Sequence, residues 1–285
     1  MDAERKFSID DVVAVWKEII DFRVGEPLVK NTPGPNEIEK WTSGIPWVLI
    51  TPPLIEVKAF FEVINHVAGV VQELHPALAE EVKTGLASLP TTRQKRKTFL
   101  NRVLAKVMHK NGSKKGPVVA SEDTAEMVEF LTGAAVNLVL RDYAREAAAW
   151  FSDERWLRGI CPVCGCHPCF SELAGESRAR NLHCGVCGTR WRFSRIGCPF
   201  CEAHIEEQKL FILEGSSKYR VYVCDNCKSY LKTVDTQLAQ PEDLLLENIK
   251  TLFLDQLLIN EGYGHRSVPN DSVKAVEGGT APSGP

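Results

Sequence analysis

The sequence predicts an α+β fold: an N-terminal helical bundle, two small tandem ribbons held by metal, and a C-terminal helix. Three observations predict it. All ten cysteines lie between Cys161 and Cys227, and eight of them form four CxxC pairs. The first 160 residues contain no cysteine and carry apolar residues at helical spacing. A further apolar-periodic stretch, Leu244 to Asn260, follows the cysteines.

The cysteine block sets the organisation. Cys161-Pro-Val-Cys164 is answered by Cys184-Gly-Val-Cys187, and Cys198-Pro-Phe-Cys201 by Cys224-Asp-Asn-Cys227, with 19 and 22 residues between partners. A CxxC turn points two sulfurs to one side, and two such turns supply the four thiolates of a tetrahedral site. Each copy of this repeat reads Cys-Pro-x-Cys, an insert, a strand-like lead-in (Arg180 to His183; Tyr219 to Val223), CxxC and an aromatic, Trp191 or Tyr230. Leu210 to Leu213 and Lys218 to Val223, joined by the polar Glu214-Gly215-Ser216-Ser217, read as a β-hairpin. These features predict two rubredoxin-like ribbons, 159–197 and 198–238, each too small for a hydrophobic core of its own. A bound ion would supply the missing folding energy.

Residues 1–158 read as the helical domain. Asp10-Asp11 caps a helix with Val12, Val13, Trp16, Ile19 and Ile20 at helical spacing. Gly25 to Pro53 reads as a loop, broken by Pro27, Pro33, Pro35, Pro46, Pro52 and Pro53, with Trp41 and Trp47 tucking it onto the helices. Helices are expected over Leu54 to Leu74, Ala77 to Leu89, Arg93 to His109 and from Ser121-Glu122-Asp123 to about Ser152. The face of Arg93, Lys95, Arg96, Lys97, Arg102 and Lys106 is either a solvated helix side or a docking surface for an acidic or phosphate-bearing partner. Pro241-Glu242-Asp243 starts the last helix, 239–260, which packs on the bundle or ribbons or forms a homodimer contact. The tail 261–285, rich in Gly, Pro and Ser, is expected to be disordered.

Composition narrows the function. At a formal charge of −3, made more negative by eight thiolates around two divalent ions, the chain does not look like a nucleic-acid binder. Residues 161–235 hold ten Lys/Arg against eight Asp/Glu. Met1 to Asp10 is polar with no apolar stretch after it, so no export signal is expected, and no apolar run reaches membrane length. Paired cysteines in such a chain point to metal ligands in a reducing cytoplasm. Four thiolates suit zinc and also rubredoxin-type iron. Both sites read as fully coordinated, so neither would activate water. No catalytic residues are expected: GxGxxG, P-loop, HExxH and GxSxG motifs are all absent. Cys166 and Cys169 are alternative ligands, a redox pair or small residues beside the first site. His183, next to Cys184, is a ligand or a neighbour of the site; His167 and His204 also lie near.

The chain resembles the FdhE family of formate dehydrogenase accessory proteins. The resemblance rests on Gly159-Ile160-Cys161-Pro162-Val163-Cys164-Gly165, Leu182-His183-Cys184-x-x-Cys187-x-x-x-Trp191 and Arg195-x-x-Cys198-Pro199-x-Cys201. It continues through Glu214-Gly215, Arg220-Val221 and Cys224-x-x-Cys227-x-x-Tyr230-Leu231-Lys232-x-Val234-Asp235. It implies a cytoplasmic, non-enzymatic helper that contacts the catalytic subunit of formate dehydrogenase, with iron, or zinc, in two sites of four cysteines each. Trp191, Arg192, Arg195 and Tyr230 are the docking candidates, the alternative being that the two aromatics merely cover the metal turns. A rubredoxin-like electron carrier and a nucleic-acid-binding zinc ribbon are the competing functions.

Overall fold

The computed structural model describes residues 8–25, 28–29, 32–107, 122–150, 156–202, 208–213 and 216–265. Helix α1 (Ile9–Ile19) starts where Ser8 and Asp11 cap each other reciprocally, Ser8 Oγ accepting from the Asp11 N–H and Asp11 Oδ2 from the Ser8 N–H. The Pro-rich stretch is not all loop. It holds α2 (Pro35–Thr42) and α3 (Trp47–Ile50). Pro35 sits at the first helical position, where its missing N–H costs nothing, and Glu37 accepts from the Gly34 N–H.

Helix α4 (Val57–Leu74) buries Phe60, Phe61, Val63, Ile64, Val67, Ala68 and Val71 against α7 (Glu122–Ala147), with α5 (Ala79–Ser88) and α6 (Arg93–Val107) beside them. The expected end of the basic helix at His109, the start of the next at Ser121 and its end near Ser152 lie outside the described residues. Among the described residues, no helix is long and apolar enough to cross a membrane.

The cysteine block builds one sheet. Its strands are β1 (Phe170–Ala174), β2 (Ala179–His183), β3 (Arg190–Arg192), β4 (Gln208–Leu213), β5 (Ser216–Cys224) and β6 (Ser229–Asp235), in the order β3-β2-β1-β6-β5-β4. Each ribbon gives three antiparallel strands. The two triplets join through a parallel pairing of β1 with β6, Glu172 opposite Val234. That parallel seam sets both triplets the same way round, so the CxxC turns after β2 and β5 lie at one end of the sheet. The expected hairpin forms, while Glu214-Gly215 at its turn lies outside the described residues.

One apolar core runs through both halves. It takes in Phe60, Val67, Leu131 and Leu138 from the helices together with Trp156, Leu182, Trp191, Phe200 and Leu231 from the cysteine block. The last helix is broken in two, α8 (Leu244–Lys250) and α9 (Leu252–Asn260). Thr251 marks the break. Its Oγ1 donates to Glu247 O at 2.9 Å, and Lys232 Nζ, from β6, donates to the freed carbonyls of Asn248 and Thr251. Helix α8 packs Leu245, Leu246 and Ile249 on Val13 of α1 and on Ile20 at its C-cap, and α9 lays Leu254 and Leu258 on Val221, Val223 and Tyr230. The first residues after α9 are held in place, Tyr263 Oη donating to Asp225 at 2.9 Å and the Gly264 N–H to Lys228 O at 2.7 Å. The rest of the tail, 266–285, lies outside the described residues.

Candidate metal centres

Four turns position the sulfurs, and all four share one backbone device. The residue after the second cysteine of each CxxC is left-handed: Gly165 (φ 80), Gly188 (φ 69), Glu202 (φ 56) and Lys228 (φ 55). This folds the chain back so that, in three of the four, its N–H reaches the carbonyl of the first cysteine: Gly165 to Cys161, Gly188 to Cys184 and Glu202 to Cys198, at 2.9–3.0 Å. Glycine takes this conformation freely; Glu202 and Lys228 hold it at some backbone cost.

The turns bring the eight cysteines into two quartets, Cys161/Cys164/Cys184/Cys187 and Cys198/Cys201/Cys224/Cys227, with all Sγ atoms of a quartet within 4.8 Å of one another. In site one, Cys161 and Cys187 stand 3.5 Å apart and Cys164 and Cys184 3.3 Å apart. In site two, Cys198–Cys227 is 3.6 Å and Cys201–Cys224 is 3.7 Å. A tetrahedron of sulfurs at the usual ~2.3 Å metal–sulfur distance has edges of about 3.8 Å. The quartets therefore suit a four-coordinate ion, and no disulfide joins any of the ten cysteines.

Electrostatics favour loading. Burial pushes the thiols of Cys161, Cys164 and Cys184 up, whereas Cys187, though buried, is held down by hydrogen bonds from its three partners and from Thr189, whose Oγ1 lies 3.0 Å away. Site two repeats the pattern: burial pushes Cys198 and Cys224 up, and hydrogen bonds from Ser229, Cys201 and Cys198 bring Cys227 down. Each quartet thus contains one cysteine, Cys187 or Cys227, whose proton is lost more easily than those of the raised cysteines beside it. A cation would displace the remaining protons.

The two sites differ in their surroundings. All four cysteines of site one are buried, but Cys201 and Cys227 of site two are only half-buried. Site one is gripped by the helical half. Trp41 Nε1 and the Trp47 N–H donate to Pro162 O at 3.2 and 2.9 Å, and the Val48 N–H donates to Val163 O at 2.8 Å. From α7, Asn137 Nδ2 donates to Gly185 O at 2.6 Å, and the Arg141 side chain lies so close to Gly188 that a Cβ there would meet its Nε at 2.8 Å. Asp243 pairs with Arg141 at 3.1 Å. Asn137, Arg141 and Asp243 carry no motif that links them to cysteines so far along the chain.

Other expected neighbours fall outside the quartets. Cys166 is buried, and its carbonyl accepts from the Cys161 N–H at 2.8 Å. Cys169 Sγ stands 3.7 Å from His183 Nδ1, and burial pushes its thiol up to about 12. His183 is itself buried, and desolvation brings its imidazole down to about 4, so it is neutral at pH 7. His167 packs edge-on to Phe200, and His204 lies outside the described residues. The docking aromatics are corrected. Trp191 and Tyr230 are buried, Trp191 in the main core with its Nε1 donating to Arg158 O at 2.9 Å, and Tyr230 against Leu254 and Leu258 with its Oη donating to Asp255 at 2.8 Å, so neither ring is available for docking. Arg192 and Arg195 are exposed.

Residues 160–195 match the family described as FdhE, central domain. The FdhE homologue of Shewanella baltica (strain OS223) is 32% identical over 109 residues, which cover 38% of this chain and 36% of that protein. The homologue from Aquifex aeolicus (strain VF5) is 31% identical over 146 residues, 48% of this chain and 50% of that one. The chain thus spans between about a third and a half of the length of these curated relatives. The crystal structure of the FdhE protein from Pseudomonas aeruginosa superposes with a TM-score of 0.60 over 90% of this chain and 85% of that one, at 20% identity. It shares the fold.

Proposed function

We propose that the chain is a member of the FdhE family, whose central domain matches residues 160–195, and that it is a non-enzymatic accessory protein for the maturation of formate dehydrogenase. In this reading Cys161, Cys164, Cys184 and Cys187 hold one ion, and Cys198, Cys201, Cys224 and Cys227 hold a second, iron or zinc in each case. Four thiolates close the coordination shell, so the ion stiffens its ribbon or passes an electron and does not activate water. The stiffened ribbons, with Arg192 and Arg195 facing outward, then form the surface that meets the catalytic subunit of formate dehydrogenase in the cytoplasm.

The observation that carries this reading is the first quartet, whose four cysteines all fall within the segment matching the FdhE central domain, and its repetition as a second quartet. Affinity purification from the native host under anaerobic conditions tests it. The catalytic subunit of formate dehydrogenase is expected to co-purify. Capture of the chain with no formate dehydrogenase subunit, from cells that are making the enzyme, overturns the reading.

A further inference from the structure

Among the described residues, Arg180 is a buried cation without an anion. Its side chain leaves β2 in the first ribbon and ends at the junction with the second, where Nη1 donates at 3.2 Å to the carbonyl of Gly197, the last residue of the first, and the guanidinium carbon lies 4.7 Å from the centre of the Tyr222 ring of the second. Cys198, Phe200, Cys224 and Leu231 wall the same space. The residue is 0% exposed, yet Nε and Nη2 have no hydrogen-bond partner among the described residues. Burial pulls the group down to about 10, with Cys198 acting in the opposite sense, so it stays charged at neutral pH. A guanidinium stripped of water and left with idle donors is costly to bury, and the face of Tyr222 offsets only part of that cost. Site one differs in charge: the cation beside it, Arg141, is already paired with Asp243, although its Nε too has no hydrogen-bond partner among the described residues.

We propose that Arg180 is the counter-ion of site two, a positioning residue lent by the first ribbon to the ion-loaded quartet of the second. The inference rests on the metal reading above. Four thiolates around a divalent ion leave roughly two net negative charges, and Arg180, beside Cys198, meets them in a low-dielectric interior where charges are felt strongly. The contact also gives the parallel seam between β1 and β6 a purpose. It fixes the ribbon that carries the charge against the ribbon that needs it.

Zinc is the probe, and native mass spectrometry counts ions per chain as a chelator is titrated in. Cys227→Ser identifies which step of the titration belongs to site two. Arg180→Met is expected to weaken the site-two step by about tenfold to a hundredfold, the usual effect of removing a partner just outside the ligands, while the site-one step stays put. Arg180→Lys is expected to recover most of the loss. Far-ultraviolet circular dichroism checks folding, and Arg180→Gln replaces Arg180→Met if the latter does not fold. An unchanged site-two step overturns the proposal. Equal weakening of both steps also overturns it, since the residue would then support only the fold, and so does a Lys variant no better than Met. A wild-type protein that binds zinc at site one alone, or at neither site, fails the metal reading itself, and shows it before any Arg180 variant is made.

Discussion

Gly159 and Pro199 touch main chain to main chain, so the segment leading into site one is seated on the first turn of site two. A Cβ at position 159 would be driven into the Pro199 carbonyl, and neither backbone can step aside. Gly159→Ala is therefore expected to cost about 3 kcal/mol. Gly175→Ala is the control: its φ of +66 disfavours a side chain, but nothing lies within 4 Å, so only the left-handed penalty of about 1 kcal/mol applies. Denaturant titrations of both variants at fixed metal concentration compare them, and equal losses would contradict the contact.

Lys232 offers a second test. Its ammonium is 1% exposed and spends its three protons on Asn248 O (3.0 Å), Thr251 O (3.3 Å) and Asp255 Oδ2 (2.7 Å), joining β6 to both C-terminal helices. Lys232→Met leaves Asp255 and two helix-end carbonyls without that partner and is expected to destabilise the protein by about 3 kcal/mol. Combined with Asp255→Leu, the losses should fall short of their sum by about 2 kcal/mol. Strict additivity in the double-mutant cycle would show that the pair is not coupled.

Asp243 predicts a pH dependence. Burial alone would raise its carboxyl, but the Arg141 guanidinium, His183 once it is protonated in acid, and hydrogen bonds from the Leu245 N–H and Arg141 outweigh burial, and the group lies below the usual carboxylate range. A carboxylate depressed in the folded state contributes stability that is complete above its unfolded pKa of about 3.9 and is lost as pH falls through the folded value. Asp243→Asn keeps a side-chain acceptor for the Leu245 N–H but gives up the charge on Arg141. At pH 7 it is expected to cost about 2 kcal/mol, Asp243 being partly exposed. As pH falls from about 4 through the folded value, the difference between variant and wild type should shrink and vanish. A stability difference that persists unchanged into acid would assign the loss to something other than the charge.

Arg192 and Arg195 test the docking surface. With Trp191 and Tyr230 buried under other groups, the exposed part of the candidate surface is basic. Arg192→Glu with Arg195→Glu is expected to reduce capture of the formate dehydrogenase catalytic subunit by at least about fivefold, with the metal content unchanged. Undiminished capture would remove these arginines from the docking surface.

The sequence made the quartets legible because ligand spacing is local: CxxC fixes two sulfurs within one turn, and only the pairing of turns needs the fold. Helix α2 carried a readable signal too, Gly34-Pro35 followed by Glu37, which the density of prolines around it obscured. The other differences came from partners distant in sequence. The single sheet depends on β1 finding β6 some sixty residues on, and the break at Thr251 depends on Lys232 arriving from that same strand. The burial of Trp191 and Tyr230 likewise depends on Arg158 and Asp255, which no local pattern ties to an aromatic after CxxC. Arg180 reads as one basic residue in a strand until the second ribbon closes over it.

The central claim is that eight sulfurs grip two ions. Metal analysis of the anaerobically purified full chain, with thiols counted by an alkylating reagent before and after chelation, tests it most directly. Two ions per chain are predicted, with eight thiols gaining reactivity when the ions are removed. A folded protein that carries no metal, or one whose cysteines are joined to each other as disulfides, would contradict it.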